Sequence, residues 1–145
     1  MTARALAHLI ANTMVSKKAN DVVTMDLRKL TSTTDYFVVC SADSDTQVRA
    51  IAGAVEDATE EAGSPVWKSE GRQTLTWVIL DFVDVVAHVF HRESRTFYNL
   101  ERLWADAKTV AVTDDAEKPK APARRTKSAG GAKPRRAAPK RRKPS

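Results

Sequence analysis

From Glu117 to the end of the chain there is no Leu, Ile, Val, Met or aromatic residue, and this break bounds what the rest can fold into. Lys118–Ser145 carries 12 Lys and Arg and no acid. With nothing apolar to bury, such a segment cannot offset an ordering cost of about 1–2 kcal/mol per residue, so it is expected to be disordered. The preceding body holds the other 12 basic residues and all 18 acidic ones, so a body of net −6 precedes a tail of +12. A body of this length suits one hydrophobic core and not two. The expected organisation is one folded domain over residues 1–112 and a Lys/Arg/Ala/Pro-rich tail over 113–145.

Cys40 is the only cysteine, which excludes an intrachain disulfide and a cysteine-based zinc site of the closed type. No apolar run approaches the roughly 20 residues that cross a bilayer, and the first residues lack the pattern of a secretory signal. A reducing, cytoplasmic location without membrane association is expected.

The periodicities predict an α/β fold. Leu6, Leu9, Ile10, Thr13 and Met14 recur at helical spacing. Asp21 to Leu27 alternates as a strand does, with Val23, Met25 and Leu27 on one side. Tyr36 to Cys40 is apolar on both strand faces and should lie centrally. Ser44 and Gln47 have the spacing of a capping box, opening a helix whose stripe is Val48, Ile51, Ala52, Val55 and Ala62 and which Gly63 and Pro65 end. Strands follow at Val66–Ser69, Leu75–Phe82 and Asp84–His91, the last two forming a hairpin that turns near Val83. A closing helix is expected from Glu93 to Trp104. The predicted whole is a five-stranded mixed sheet flanked by helices.

Two long helices cover one face of such a sheet, and little helix is left for the other. Trp77, Ile79 and Asp81 point opposite to Val78, Leu80 and Phe82. If the first set lies on the open face, it makes an apolar patch with an acidic rim, suited to a basic protein partner. Core and interface tryptophans look alike in sequence, so Trp77 also fits a core position.

The segments DYFVVCSADSDTQVRAIA, SEG, WVILDFVDVVAHVFH and RTFYNLERLW resemble, in order and spacing, the Iojap-like ribosomal silencing factors, with FYNLERLW the most specific of them. The resemblance spans the body from the first helix to Trp104. It implies a five-stranded mixed sheet of nucleotidyltransferase-like topology. It also implies binding to protein fourteen of the large ribosomal subunit at the intersubunit face, where the bound factor obstructs the small subunit, and a link to late large-subunit maturation. Matched residue by residue, the partner-binding surface falls on Trp77, Ile79 and Asp81, with Glu70, Gly71, Tyr98, Asn99, Leu100, Glu101, Leu103 and Trp104 nearby and a modest part for His88. In this chain Val83 stands where the family usually has Gly, so the turn is expected to differ here. Related proteins self-associate through the exposed sheet, so a monomer and a homodimer both fit.

The tail is not part of the family's common core. Its Arg124, Arg125, Lys127, Lys133, Arg135, Arg136, Lys140, Arg141, Arg142 and Lys143 are expected to attract ribosomal RNA phosphates, with affinity falling as salt rises. An RNA-binding assembly factor anchored mainly by this tail is the rival reading.

No cofactor, metal or catalytic residue is expected. His88 and His91 lie three apart on a strand, which sends their rings to opposite faces. Asp81 and Asp84 straddle a turn at the wrong spacing for a nucleotidyltransferase magnesium site. Asp43 and Asp45 suit the N-terminus of a helix, and Cys40 suits an inert buried thiol.

Overall fold

A computed structural model describes residues 1–113 and 117–119. Helix α1 (Ala3–Ser16) starts where the Thr2 hydroxyl accepts the Ala5 N–H at 3.0 Å. Strands β1 (Asn20–Asp26) and β2 (Tyr36–Ala42) follow, then helix α2 (Asp45–Glu61). The Ser44 hydroxyl accepts the Gln47 N–H at 3.1 Å. The Gln47 side chain reaches back to the Asp43 N–H at 3.0 Å, one residue short of the reciprocal bond of a strict capping box. Beyond α2 come β3 (Lys68–Glu70), β4 (Trp77–Asp81), β5 (Val85–His91), the short helices α3 (Arg92–Tyr98) and α4 (Leu100–Leu103), β6 (Lys108–Val112) and β7 (Glu117–Pro119).

The strands form one seven-stranded sheet in the order β3-β4-β5-β2-β1-β6-β7. β2 and β5 are parallel and every other neighbouring pair is antiparallel, so the sheet is mixed. Helices α1 and α2 lie on one face. Leu6, Ile10 and Met14 of α1 and Val48, Ile51 and Val55 of α2 pack there with Val38, Cys40, Val78, Leu80 and Val89 of the strands. Full burial of each large aliphatic side chain is worth about 1.5–3 kcal/mol, and this is the larger core. On the other face Val23, Met25, Leu27, Val39, Phe90 and Leu100 make a smaller one. Among the described residues no helix is long and apolar enough to cross a membrane.

The α/β class and the mixed sheet are as expected, and the strand count is not: the sheet has seven strands where five were predicted. β6 pairs with β1 through Val23↔Ala111 to Asp26↔Lys108, and β7 pairs with β6. Lys108–Val112 is short and stands past the last recognisable motif, so only its partner strand reveals it. The closing helix is also broken. Asn99 adopts φ 45°, ending α3, while its side chain accepts the Arg102 N–H at 3.2 Å and starts α4. Asparagine tolerates this left-handed conformation. The predicted tail residues from 120 onward, including every cation assigned to RNA, lie outside the described residues.

The β4–β5 turn corrects another expectation, since Val83 adopts φ 75°, the left-handed region that a glycine would occupy. The Asp84 N–H donates to the Phe82 carbonyl at 3.0 Å and the Phe82 N–H to the Val85 carbonyl at 2.8 Å, closing a γ-turn centred on Val83. The Asp81 carboxylate adds a bond from the Val83 N–H at 2.7 Å. The turn keeps its tight geometry and carries the strain of a β-branched residue in it. Val83 is 54% exposed, so little packing is lost on its removal. Val83→Gly should therefore stabilise the protein by about 1 kcal/mol, the left-handed strain relieved less the entropy regained by the unfolded glycine, seen as a higher urea midpoint at unchanged slope.

Candidate partner-docking face

On the face away from α1 and α2, cross-strand register builds rows. Glu70, Ile79, His88, Val39 and Val23 form one; Lys68, Asp81, Val86, Phe37 and Met25 form the next. The cover is slight: α3 contributes no fully buried residue and α4 only Leu100. Trp77, Ile79, Asp81, Val86 and Phe37 are consequently half-buried, with edges at the surface.

Trp77 is the hub. Its indole stacks on Phe90 with ring centroids 4.8 Å apart and leans on Tyr98 at 4.6 Å. Its Nε1–H donates to His88 Nδ1 at 3.1 Å. Because Nδ1 accepts, the neutral imidazole carries its proton on Nε2, which is buried without a hydrogen-bond partner. Phe37 meets the His88 ring edge-on at 4.5 Å and Trp104 edge-on at 5.9 Å. Trp77, Ile79, His88, Tyr98, Leu100 and Trp104 are thus gathered on or beneath one surface. Leu103 is 71% exposed on α4.

Other predicted residues serve the scaffold. The Glu101 carboxylate is held by both arms of the Arg95 guanidinium, at 3.2 and 3.1 Å. Arg95 also donates to the carbonyls of Asn20 and Asp21, at 3.3 and 2.6 Å, tying α3 and α4 to the start of β1. Asn99 links the two short helices. Glu70 is exposed on edge strand β3, opposite Ile79. Gly71 has φ +86°, and a Cβ there would collide with the Trp77 carbonyl oxygen.

Phe97, within the predicted closing helix, is 80% exposed and stands perpendicular to Tyr98 at 5.0 Å. The break at Asn99 turns it outward; an asparagine between apolar residues is the one signal that could have shown this. Trp67, also exposed, immediately precedes β3.

Burial pushes the Cys40 thiol up to about 12, far from a thiolate at neutral pH. Among the described residues no three His, Cys, Asp or Glu gather to hold a metal. The body's one Gly-Ser pair, Gly63–Ser64, closes the C-terminus of α2, where the Ser64 N–H bonds to the Thr59 carbonyl at 2.8 Å.

These features define an α/β protein with one face of its mixed sheet sheathed in helix and the other thinly covered by aromatic side chains. A family profile described as "Ribosomal silencing factor during starvation" matches residues 1–138. The chain is 40% identical over 107 residues to the ribosomal silencing factor of Bacillus subtilis, an alignment spanning 74% of this chain and 91% of that protein. It is 39% identical over 112 residues to that of Halalkalibacterium halodurans, spanning 77% and 96%. A crystal structure of a Chromobacterium violaceum protein, 34% identical, superposes with a TM-score of 0.70 over 72% of this chain and 88% of that one. The chain belongs to the ribosomal silencing factor family.

Burial pushes His88 down to about 3. The unfolded ring takes up its proton near pH 6.5 and the folded one does not, so the stability contributed by neutral His88 is complete above pH 6.5 and is lost as pH falls toward 3. At pH 5 the loss is about 2 kcal/mol. His88→Asn removes the titration and leaves an acceptor for Trp77, so its unfolding free energy should vary less between pH 7 and pH 5 than that of the unaltered protein. Gly71→Ala, by contrast, should cost about 3 kcal/mol at every pH, read from thermal unfolding.

Proposed function

We propose that the protein silences translation by occupancy and performs no chemistry. Its aromatic face docks on protein fourteen of the large ribosomal subunit, and the seated body stands where the small subunit must approach. The observation that supports this reading is the thin cover of that face, which leaves Phe97, Tyr98 and Leu103 exposed around a half-buried Trp77. Aromatic and aliphatic side chains of this kind supply most of the energy when desolvated at the centre of an interface. Asp81, at the rim, and the net −6 body match a basic partner and speed its encounter. Trp77 is oriented by His88, Phe90 and Tyr98, so the anchor is ordered before the partner arrives, which lowers the cost of binding. The site of action is the cytoplasm.

The rival reading, an assembly factor held mainly through RNA, draws its support from the 12 cations after Glu117. Cosedimentation with purified large subunits at moderate salt separates the two. Phe97→Asp with Leu103→Asp changes two exposed positions, leaving the melting temperature nearly unchanged, and should weaken large-subunit binding at least about tenfold. Unaltered binding by this variant would defeat the docking reading. Removal of the residues after Pro119 should leave binding detectable; its complete loss would favour the RNA-anchored reading.

A further inference from the structure

At the β3 edge of the sheet the fold leaves a tryptophan uncovered. Trp67 is 68% exposed, although aromatic side chains of this size contribute most when they are buried. The backbone around it is irregular. Lys68 stands in register with Asp81, and the Trp67 N–H also donates to the Asp81 carbonyl at 2.9 Å. Two residues of one strand thus oppose one of the next, a β-bulge. Bulges bend an edge strand and re-aim a side chain, and the side chain placed here is an indole.

The bulge adjoins the docking face. Asp81, opposite it, belongs to the row that runs on through Val86 and Phe37, all three half-buried with edges at the surface. Along β4, Asp81 is four residues from Trp77 and projects to the same side. That separation is roughly 13 Å, well inside the span of an interface that buries about 800 Å² on each partner. A protein seated over Trp77 and Phe37 covers this ground as well.

The charge around the indole shows which group it takes. Asp81 stands opposite Trp67, and Glu70 follows three residues on. The cations closest in sequence are engaged, Lys68 with Glu70 at 3.8 Å and Arg72 with Glu56 at 2.8 Å. The Asp81 carboxylate is fixed by the Val83 N–H on one oxygen, at 2.7 Å, and retains capacity for further donors. An aromatic face beside such a carboxylate attracts a cation and repels a phosphate. Arginine satisfies both groups at once, because its planar guanidinium stacks on an indole and donates in a fork to a carboxylate.

We propose that Trp67 is a second anchor of the docking face and takes an arginine of the docked protein, stacked on the indole and paired with Asp81. This rests on the docking reading above, to which it adds a residue and the chemistry that residue selects. The platform around Trp77 supplies apolar contact, and the bulge supplies a site for one charge.

The test uses the full chain and purified large subunits, with binding measured by cosedimentation at moderate salt. Trp67 is exposed and is held to the sheet through its backbone N–H, so its replacement should leave the melting temperature nearly unchanged. Trp67→Ala should weaken binding at least about fivefold, and Trp67→Phe should recover part of that loss. Trp67→Lys sets a cation against the incoming guanidinium and should bind more weakly than Trp67→Ala. Unaltered binding by Trp67→Ala would overturn the anchor. Binding by Trp67→Lys at least as tight as by Trp67→Ala would overturn the arginine, a gain being the mark of a nucleic acid at this edge. Phe97→Asp with Leu103→Asp tells the two failures apart. If that pair weakens binding and Trp67→Ala does not, the docking reading stands without the second anchor; if neither does, the docking reading itself fails.

Discussion

Arg95 holds the second face of the sheet together. Its guanidinium grips Glu101 with both arms and donates to two carbonyls at the start of β1, so one side chain joins α3, α4 and the sheet. Asp21, one of its two backbone partners, sits at φ 51°, within an irregular stretch of the β1–β2 pairing. Only a planar, multiply donating group can satisfy a carboxylate and two carbonyls at once, and a lysine would leave part of this set unpaired. Hydrogen bonds to charged groups contribute about 1.5–3 kcal/mol where they are partly shielded, a large share of what secures two helices with one buried residue between them. The slightness of that cover keeps the aromatic platform near the surface.

The platform combines rigidity with exposure. Trp77 is pinned by a hydrogen bond to a neutral histidine and by two aromatic neighbours, while its edge stays open. His88 meets this demand at a cost, because its remaining ring nitrogen lies buried without a partner. A purely apolar residue at 88 would avoid that cost and lose the bond that orients the indole. Strain at Val83 and the close approach of Gly71 to the Trp77 carbonyl lie at the two ends of the same hairpin, so local backbone energy is spent around β4.

Charge divides along the sheet as well. Acidic Asp81 and Glu70 belong to the β3–β4 side, and Arg4, Arg28, Lys29 and Lys108 line adjoining clefts on the β1–β6 side. Opposite signs on two sides of one body give it a dipolar field that orients an approaching charged partner.

Much of this fold was legible because its signals are local. The two-sided apolar run Tyr36–Cys40 did mark a strand with a core on each side, and the Ser44 cap did open α2. The α1 stripe was read nearly right: Leu6, Ile10 and Met14 are buried, but Ala7 and Ala11 take the positions expected of Leu9 and Thr13, because close helix–sheet packing favours small side chains. The sequence by itself determined the division into a foldable body and a cationic tail, the α/β class and the identity of the aromatic strand, since burial period, capping and charge act between near neighbours. Whether Trp77 was core or surface, that Phe97 turns outward at Asn99, that Glu101 serves Arg95, and that Arg4, Arg28 and Lys108 share one groove were decided only by tertiary structure. Each depends on which distant segments meet, and strand order and helix breaks are set by the packing of the whole chain.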